Sequence, residues 1–410
     1  MRWTEKNLQE AERYSAHNYR PLPVVLSRGE GVYVWDVENR RYLDMLSAYS
    51  ALNQGHRHPR IVQALKDQAD HITLTSRAFH NDRMGPFLHM LCDLTGYERA
   101  LPMNTGAEAV ETAIKAARKW GYDRKGVQRD AEIIVFEGNF HGRTTTEISF
   151  SSEPVYREGF GPFMPGFRIL PYGNLGAVAA AINERTVAVL VEPIQGEAGV
   201  VVPPEGFLRS LAMRCREQNV LLIADEIQTG LGRTGKLFAS EWEGVRPDIM
   251  VVGKALGGGV YPVSAILADN EIMSVFTPGT HGSTFGGNPL AAAVGMAALS
   301  VIVEENLAHH AHEVGTWFMN HLRAIHAPAV AQVRGRGLLI GVVLKNEAGP
   351  ARPYCEALMQ RGILAKETHE HVIRFAPPLI VTRPQLEEVL PAITDVLLQE
   401  RAITTHAASS

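Results

Sequence analysis

Val220-Leu221-Leu222-Ile223-Ala224-Asp225-Glu226, followed by Asp248-Ile249-Met250-Val251-Val252-Gly253-Lys254, decides the fold. Each run is continuously apolar before its charged end. A strand covered on both faces needs that pattern, whereas a half-exposed strand alternates. Glu132-Ile133-Ile134-Val135-Phe136 and Val187-Ala188-Val189-Leu190-Val191 repeat it. The stretches 106–120, 175–184 and 206–218 carry helical spacing between such runs. Strand and helix in alternation predict a parallel sheet wrapped by helices. The expected class is therefore α/β, with a large, doubly wound, mostly parallel sheet.

Working outward, an Ala-rich helix over 289–303 leads into helices over 307–327, 350–361 and 383–400, with short strands over 338–344 and 371–375. That mixture reads as a small α+β domain. Toward the start, residues 1–20 read as a polar helix closed by Pro21-Leu22-Pro23. Gly31-Val32-Tyr33-Val34-Trp35-Asp36 and Arg41-Tyr42-Leu43-Asp44 read as a hairpin around Glu38-Asn39. The expected division is 1–50 as an N-terminal segment joining the small domain, 51–300 as the large domain and 301–410 as the small one. The polar tail 404–410 reads as frayed.

Composition narrows the function classes. The chain has 410 residues, 45% of them hydrophobic, which is ample for a large core. A formal net charge of -4, with no Lys/Arg run, gives no footprint for nucleic acid. Cys92, Cys215 and Cys355 are too few and too scattered for a disulfide framework or a CxxC zinc site. The opening Met1-Arg2-Trp3-Thr4-Glu5-Lys6 lacks the apolar core of a secretory signal, and a cytoplasmic, soluble protein is expected.

Asp225 and Lys254 stand at the carboxyl edge of successive strands, where open α/β sheets bind ligands. A buried aspartate wants a cationic partner. A pyridinium nitrogen is one, and pyridoxal phosphate needs such a carboxylate to act as an electron sink. A strand-end aspartate also serves as a helix cap. Lys254, followed by Gly257-Gly258-Gly259, offers an amine able to form a Schiff base and shuttle a proton, with the glycines letting a flat ring come close. A loop lysine in solvent is its plain alternative.

Asn104-Thr105-Gly106-Ala107-Glu108 opens a long helix and presents amide groups suited to phosphate. Gly282-Ser283-Thr284-Phe285-Gly286 is a second hydroxyl-and-glycine loop, for phosphate or simply for a turn. Gly230-Leu231-Gly232-Arg233-Thr234-Gly235 spells a dinucleotide fingerprint. It starts well past its strand, and the next strand ends in Lys254 instead of an acid, so it reads as a flexible loop. Gly55-His56-Arg57-His58-Pro59 lacks a further ligand and reads as a turn with surface histidines, with no metal expected.

Taken together, Asn104-Thr105-Gly106, Phe140-His141-Gly142-Arg143, Glu192-Pro193-Ile194-Gln195-Gly196-Glu197, Asp225-Glu226-Ile227-Gln228-Thr229-Gly230 and Gly253-Lys254-Ala255 resemble the class-III (ω-amino) aminotransferases of fold type I. The resemblance runs from about residue 14 to 400. Within that family, His17-Asn18-Tyr19-Arg20-Pro21-Leu22-Pro23 and Ser47-Ala48-Tyr49-Ser50-Ala51-Leu52-Asn53-Gln54-Gly55-His56 resemble the members that take L-ornithine as amino donor. Relatives acting on N-acetylornithine, 4-aminobutyrate or lysine share the cofactor motifs and generally lack the Tyr19/Tyr49 pair.

The resemblance implies pyridoxal 5'-phosphate held covalently by Lys254, with Asp225 on the pyridine nitrogen, Gln228 on the ring hydroxyl and Phe140 stacked on the ring. It implies a phosphate site of Thr105, Gly106 and Ala107, with Ser283 and Thr284 supplied by a neighbouring subunit, hence a homodimer with shared sites. It puts Tyr19 and Arg143 on the α-carboxylate of ornithine, Tyr49 beside the donor, and Glu197 with Arg374 as a switchable pair. In that pair Glu197 neutralises Arg374 until 2-oxoglutarate or glutamate docks there. His80 and His141 depart from the Tyr and Trp of some relatives. An aminomutase of the same fold and a catalytically silent binding protein remain as further readings.

Overall fold

The computed structural model describes residues 3–399. Its centre is a seven-stranded sheet in the order Arg99–Met103, Ser264–Ala268, Ile249–Val252, Leu221–Asp225, Thr186–Val191, Glu132–Phe136, Phe167–Leu170. Six strands share one direction, five of them paired side by side in parallel. Ser264–Ala268 is antiparallel to both of its neighbours.

The continuous apolar runs have a direct cause. Ile133, Val135, Ala188, Leu190, Ile223 and Val251 pack on one face in a cluster shared with the Gly106–Trp120 helix. Their chain neighbours Ile134, Phe136, Val189, Val191 and Leu222 pack on the other face with the Phe207–Glu217 helix. Every position along such a strand is therefore buried, each large aliphatic side chain contributing roughly 1.5–3 kcal/mol.

Two four-stranded sheets flank this body. One joins Leu26–Glu30, Tyr33–Asp36 and Arg41–Asp44 to Ile363–Leu364, so the first and last thirds of the chain share a sheet. The other comprises Val330–Arg336, Leu339–Leu344, Val372–Phe375 and Lys366–Thr368. The expected hairpin over 31–44 forms with Tyr33 opposite Leu43.

Several boundaries differ from the sequence reading. The first helix spans Trp3–Tyr14, stops well before Pro21 and buries none of its residues. The 175–184 helix ends at Ala181. Arg99–Met103 is a strand despite Pro102, because it lies at the sheet edge where a missing N–H is tolerated. The tail 404–410 lies outside the described residues. Among the described residues no single helix is long and apolar enough to cross a membrane.

Candidate active site

Asp225 closes the Leu221–Asp225 strand and sits opposite Val251 in the neighbouring strand. Three residues beyond Val251 the chain reaches Lys254, whose backbone takes a left-handed φ of 46°. Non-glycine residues adopt that conformation only when their surroundings over-determine it. Burial lowers the Lys254 amine from its ordinary range. Among the described residues Lys254 makes no hydrogen bond or ion pair.

Asp225 is 4% exposed. One carboxylate oxygen accepts from the Ile227 amide at 3.0 Å, and the other lies 2.7 Å from His141 Nδ1. His141 was not singled out as a site residue from sequence. With Asp225 ionised, this bond puts the His141 proton on Nδ1, and Nε2 is buried without a partner. His141 therefore fixes the orientation of the carboxylate and feeds its charge toward whatever faces the other oxygen.

Asp225, Lys254, Phe140, Gln228, Gly106 and Ala107 line one cavity of about 210 Å³. Gly106 opens the Gly106–Trp120 helix behind Thr105, which caps it. Thr105 Oγ1 accepts from the Glu108 amide at 3.2 Å, while Glu108 takes the Thr105 and Asn104 amides at 2.8 and 3.2 Å. This capping box uses up Thr105 and Glu108 and leaves the Gly106 and Ala107 amides, with the helix dipole behind them, for an anion. Glu192 also lines the cavity and accepts from the Phe140 amide at 3.1 Å. Full burial and the Asp225 charge hold the Glu192 carboxyl well above its ordinary range.

Phe140 also borders a second, larger cavity of about 600 Å³ lined by Tyr19, Tyr49, Arg143 and Glu197. Arg143 is exposed, stacks on Tyr156 at 3.9 Å and has no carboxylate partner among the described residues. Arg374, 1% exposed, donates through Nη1 to Glu197 at 2.7 Å. Its Nε and Nη2 are buried without partners. Gln228 bridges the pair, donating to Glu197 at 3.1 Å.

A family model described as aminotransferase class-III matches residues 14–397. The chain belongs to the class-III aminotransferases. It is 59% identical over 397 residues to ornithine aminotransferase 2 of Staphylococcus aureus, covering 97% of this chain and 100% of that one. Among solved structures, the ornithine aminotransferase of Toxoplasma gondii superposes with a TM-score of 0.95 at 44% identity, over 97% of this chain and 96% of that one. Acetylornithine aminotransferase of Elizabethkingia anophelis gives 0.88 at 47% identity, over 97% and 100%.

This class-III aminotransferase is a pyridoxal-phosphate-dependent transaminase, and its residues fit that group. The smaller cavity has free amides at a helix start for a phosphate, a buried carboxylate for a ring nitrogen, and a lysine without a protein partner. Ser283 and Thr284, expected to serve a neighbouring subunit, do not line this cavity. Ser283 is bound within its own chain, to Asn104 Nδ2 at 2.9 Å and the Gly286 amide at 3.0 Å, and Thr284 is exposed.

Three sequence readings need correction. The 230–235 stretch is buried and pinned, not flexible: Arg233 and Thr234 are fully buried, and the Arg233 guanidinium bonds across the molecule. His56 and His58 are half-buried and paired with Asp44 at 2.7 Å and Glu305 at 3.1 Å, so they are not surface histidines. Gly258 and Gly259 serve packing and not a flat ring, since a Cβ there would meet Ile61 at 2.7 Å and Leu52 at 2.1 Å.

The aminotransferase also buries an acid beneath the Phe140-His141-Gly142-Arg143 turn. Glu147 is 2% exposed, and its Oε2 lies 1.9 Å from where a Cβ on Gly142 would stand. Burial pushes its carboxyl up to about 8 from an ordinary value near 4.5, against the Thr144 amide that it accepts. An acid whose folded value is raised contributes stability fully below about 4.5 and loses it as pH rises through about 8. Glu147→Gln, which mimics the neutral acid, is expected to match wild type in thermal midpoint near pH 4.5. At pH 8.5 its midpoint should lie above that of wild type, by a shift that corresponds to on the order of a few kcal/mol. Equal midpoints across that range would show that Glu147 ionises freely in the fold.

Proposed function

We propose that the chain transfers the δ-amino group of L-ornithine to 2-oxoglutarate, giving glutamate 5-semialdehyde, which cyclises to pyrroline-5-carboxylate, and glutamate. The observation that carries this reading is the Glu197–Arg374 pair, with two Arg374 nitrogens buried and unpartnered. A pocket that alternates between a donor without an α-carboxylate at the reacting end and an acceptor with one needs an arginine that can be silenced and released. An arginine fork matches the acceptor's carboxylate bidentately.

Bound pyridoxal phosphate supplies the electron sink and carries the amino group between the two half-reactions. Lys254 would hold the group covalently and, once freed, would relay the proton off the amine-bearing carbon of the donor and onto the carrier in the first half, with the reverse relay in the second. Burial lowers its amine from the ordinary range, the direction that favours the unprotonated form. Asp225, oriented by His141, would hold the ring nitrogen in its protonated form, and Phe140 and Gln228, which line the same cavity, would hold the ring and its hydroxyl. Gly106 and Ala107 would take the phosphate through their free amides, with Thr105 capping the helix behind them. Tyr19 and exposed Arg143 grip the α-carboxylate of ornithine, and Tyr49 lies beside the donor.

Ser283 and Thr284 reach the phosphate of a second copy, so the working unit is a homodimer with shared sites, acting in the cytoplasm. Exposed Phe79 and Phe285, at 74% and 48%, are consistent with a face covered by that copy. The chain divides as 1–50, 51–300 and 301–410, the first joining the third through the sheet that pairs Arg41–Asp44 with Ile363–Leu364.

The likeness to an acetylornithine aminotransferase at 47% identity keeps N-acetylornithine as the specific rival donor. The deciding experiment adds L-ornithine, N-acetylornithine and 4-aminobutyrate separately to holoenzyme without oxo acid and follows the cofactor's absorbance. Ornithine is expected to bleach it fastest, and 2-oxoglutarate to restore it. Faster bleaching by N-acetylornithine would keep the transaminase and replace the substrate.

A further inference from the structure

Ser47, Ala48, Tyr49 and Ser50 are consecutive, none is glycine, and all have left-handed φ angles of 48°, 47°, 59° and 71°. Each pushes its Cβ toward the following carbonyl, so such residues are normally found singly. A run of four persists only if the surroundings impose it. The imposing contacts are explicit. Asp44 accepts from the Leu46 and Ser47 amides at 2.8 and 2.9 Å. Ser47 Oγ donates to the Ala376 carbonyl at 2.7 Å.

Arg233 closes the frame. It is fully buried, and among the described residues no carboxylate lies within ion-pair distance of it. Its Nη2 donates to Ser47 Oγ at 2.9 Å and Asn53 Oδ1 at 2.6 Å. Its Nη1 donates to the Leu338 and Pro377 carbonyls at 2.9 and 2.6 Å. One rigid fork thus spans both flanks of the left-handed turn and the chain just after Arg374. Desolvating an unpaired cation is unfavourable, so this arrangement does not follow from ordinary core packing. Its visible result is that the Tyr49 ring sits 4.9 Å from the Arg374 guanidinium.

We propose that Arg233 is a positioning residue for substrate selection: it clamps the strained Ser47–Ser50 turn so that Tyr49 stays over Arg374. This rests on the reading above, in which Tyr49 faces the donor and Arg374 is reserved for the oxo acid. Released from the clamp, Ser47–Ser50 relaxes to right-handed or extended backbone, Tyr49 leaves Arg374, and the enzyme loses its preference for ornithine over 4-aminobutyrate.

Four holoenzyme variants test this through the thermal midpoint, the cofactor absorbance, and the ratio of kcat/KM for L-ornithine to that for 4-aminobutyrate. Tyr49→Ile sets the scale and is expected to lower the ratio by about tenfold or more, the discrimination that one side chain supplies in a pocket. Ser47→Ala and Arg233→Lys should lower it by a similar factor, mainly through KM for ornithine, with the absorbance unchanged. Ala48→Gly should raise the midpoint by about 1–2 °C with the ratio unchanged, because glycine removes left-handed strain at an exposed position.

If Tyr49→Ile moves the ratio but Ser47→Ala and Arg233→Lys do not, the clamp is structural only and the proposal fails alone. If Tyr49→Ile leaves the ratio unmoved, the reading of Tyr49 fails and takes the proposal with it. A lower midpoint for Ala48→Gly would show that the turn stores no strain, and would overturn it. Should Arg233→Lys not fold, Ser47→Ala and Ala48→Gly still decide.

Discussion

Lys254→Ala is expected to abolish turnover, by three orders of magnitude or more, while the protein still folds and assembles. Two losses combine. In the proposed role of Lys254 the covalent hold on the cofactor would disappear, and so would the base that moves the proton, a contribution of roughly 10²–10⁴ by itself. Nothing else nearby can replace it. Asp225 is committed to His141 and the Ile227 amide, and Glu192, whose carboxyl burial holds well above its ordinary range, is engaged by the Phe140 amide. The fold is spared for an equally local reason. The Lys254 amine makes no hydrogen bond among the described residues, and burial already disfavours its charge. Alanine leaves the left-handed backbone at 46° as strained as before, so no relief or collapse is expected there. The check is a steady-state assay with excess cofactor, alongside the thermal midpoint and the elution volume. Activity within tenfold of wild type would remove Lys254 from the mechanism. An unfolded variant would instead show that its alkyl stem supports the core.

What could be read from sequence follows from range. The runs 132–136, 187–191, 220–224 and 248–252 announced strands because both faces are covered, and that condition is written residue by residue. Asp225 and Lys254 could be paired because chain order and sheet order coincide there. Short strands such as Phe167–Leu170, half-exposed at the sheet edge, carry too few buried positions to stand out. The His141–Asp225 bond joins residues 84 apart, and no local pattern encodes it. The 230–235 stretch misled because glycines suggest freedom. Its rigidity comes from carbonyls 105 and 144 residues downstream of Arg233. The Ser47–Ser50 turn was invisible for the opposite reason, since no glycine or asparagine marks a backbone that its neighbours force left-handed.

Arg374→Ala is the second large effect, and it should fall on one half of the reaction. Arg374 is 1% exposed, with Nη1 on Glu197 at 2.7 Å and two nitrogens open to a second carboxylate. Truncating a buried charge that grips an ionised ligand removes about 2–5 kcal/mol, so kcat/KM for 2-oxoglutarate should fall by roughly 30- to 5000-fold. On the proposed reading the donor half does not call on that grip, since Tyr19 and Arg143, which line the outer cavity, are assigned to ornithine's α-carboxylate, and it should lose less than about tenfold. The same change alters the acid side of the stability profile. Against the upward push of burial, the Arg374 charge and then Lys254 draw the Glu197 carboxyl down to about 2. A lowered acid contributes stability above its unfolded value near 4.5 and loses it as pH falls toward 2, so this contribution should be largely missing from the variant at pH 6–7. Bleaching by ornithine and recovery with 2-oxoglutarate, followed separately, read the two halves. Equal losses in both would make Arg374 a general support of the pocket, and an unchanged recovery would mean that the oxo acid docks elsewhere.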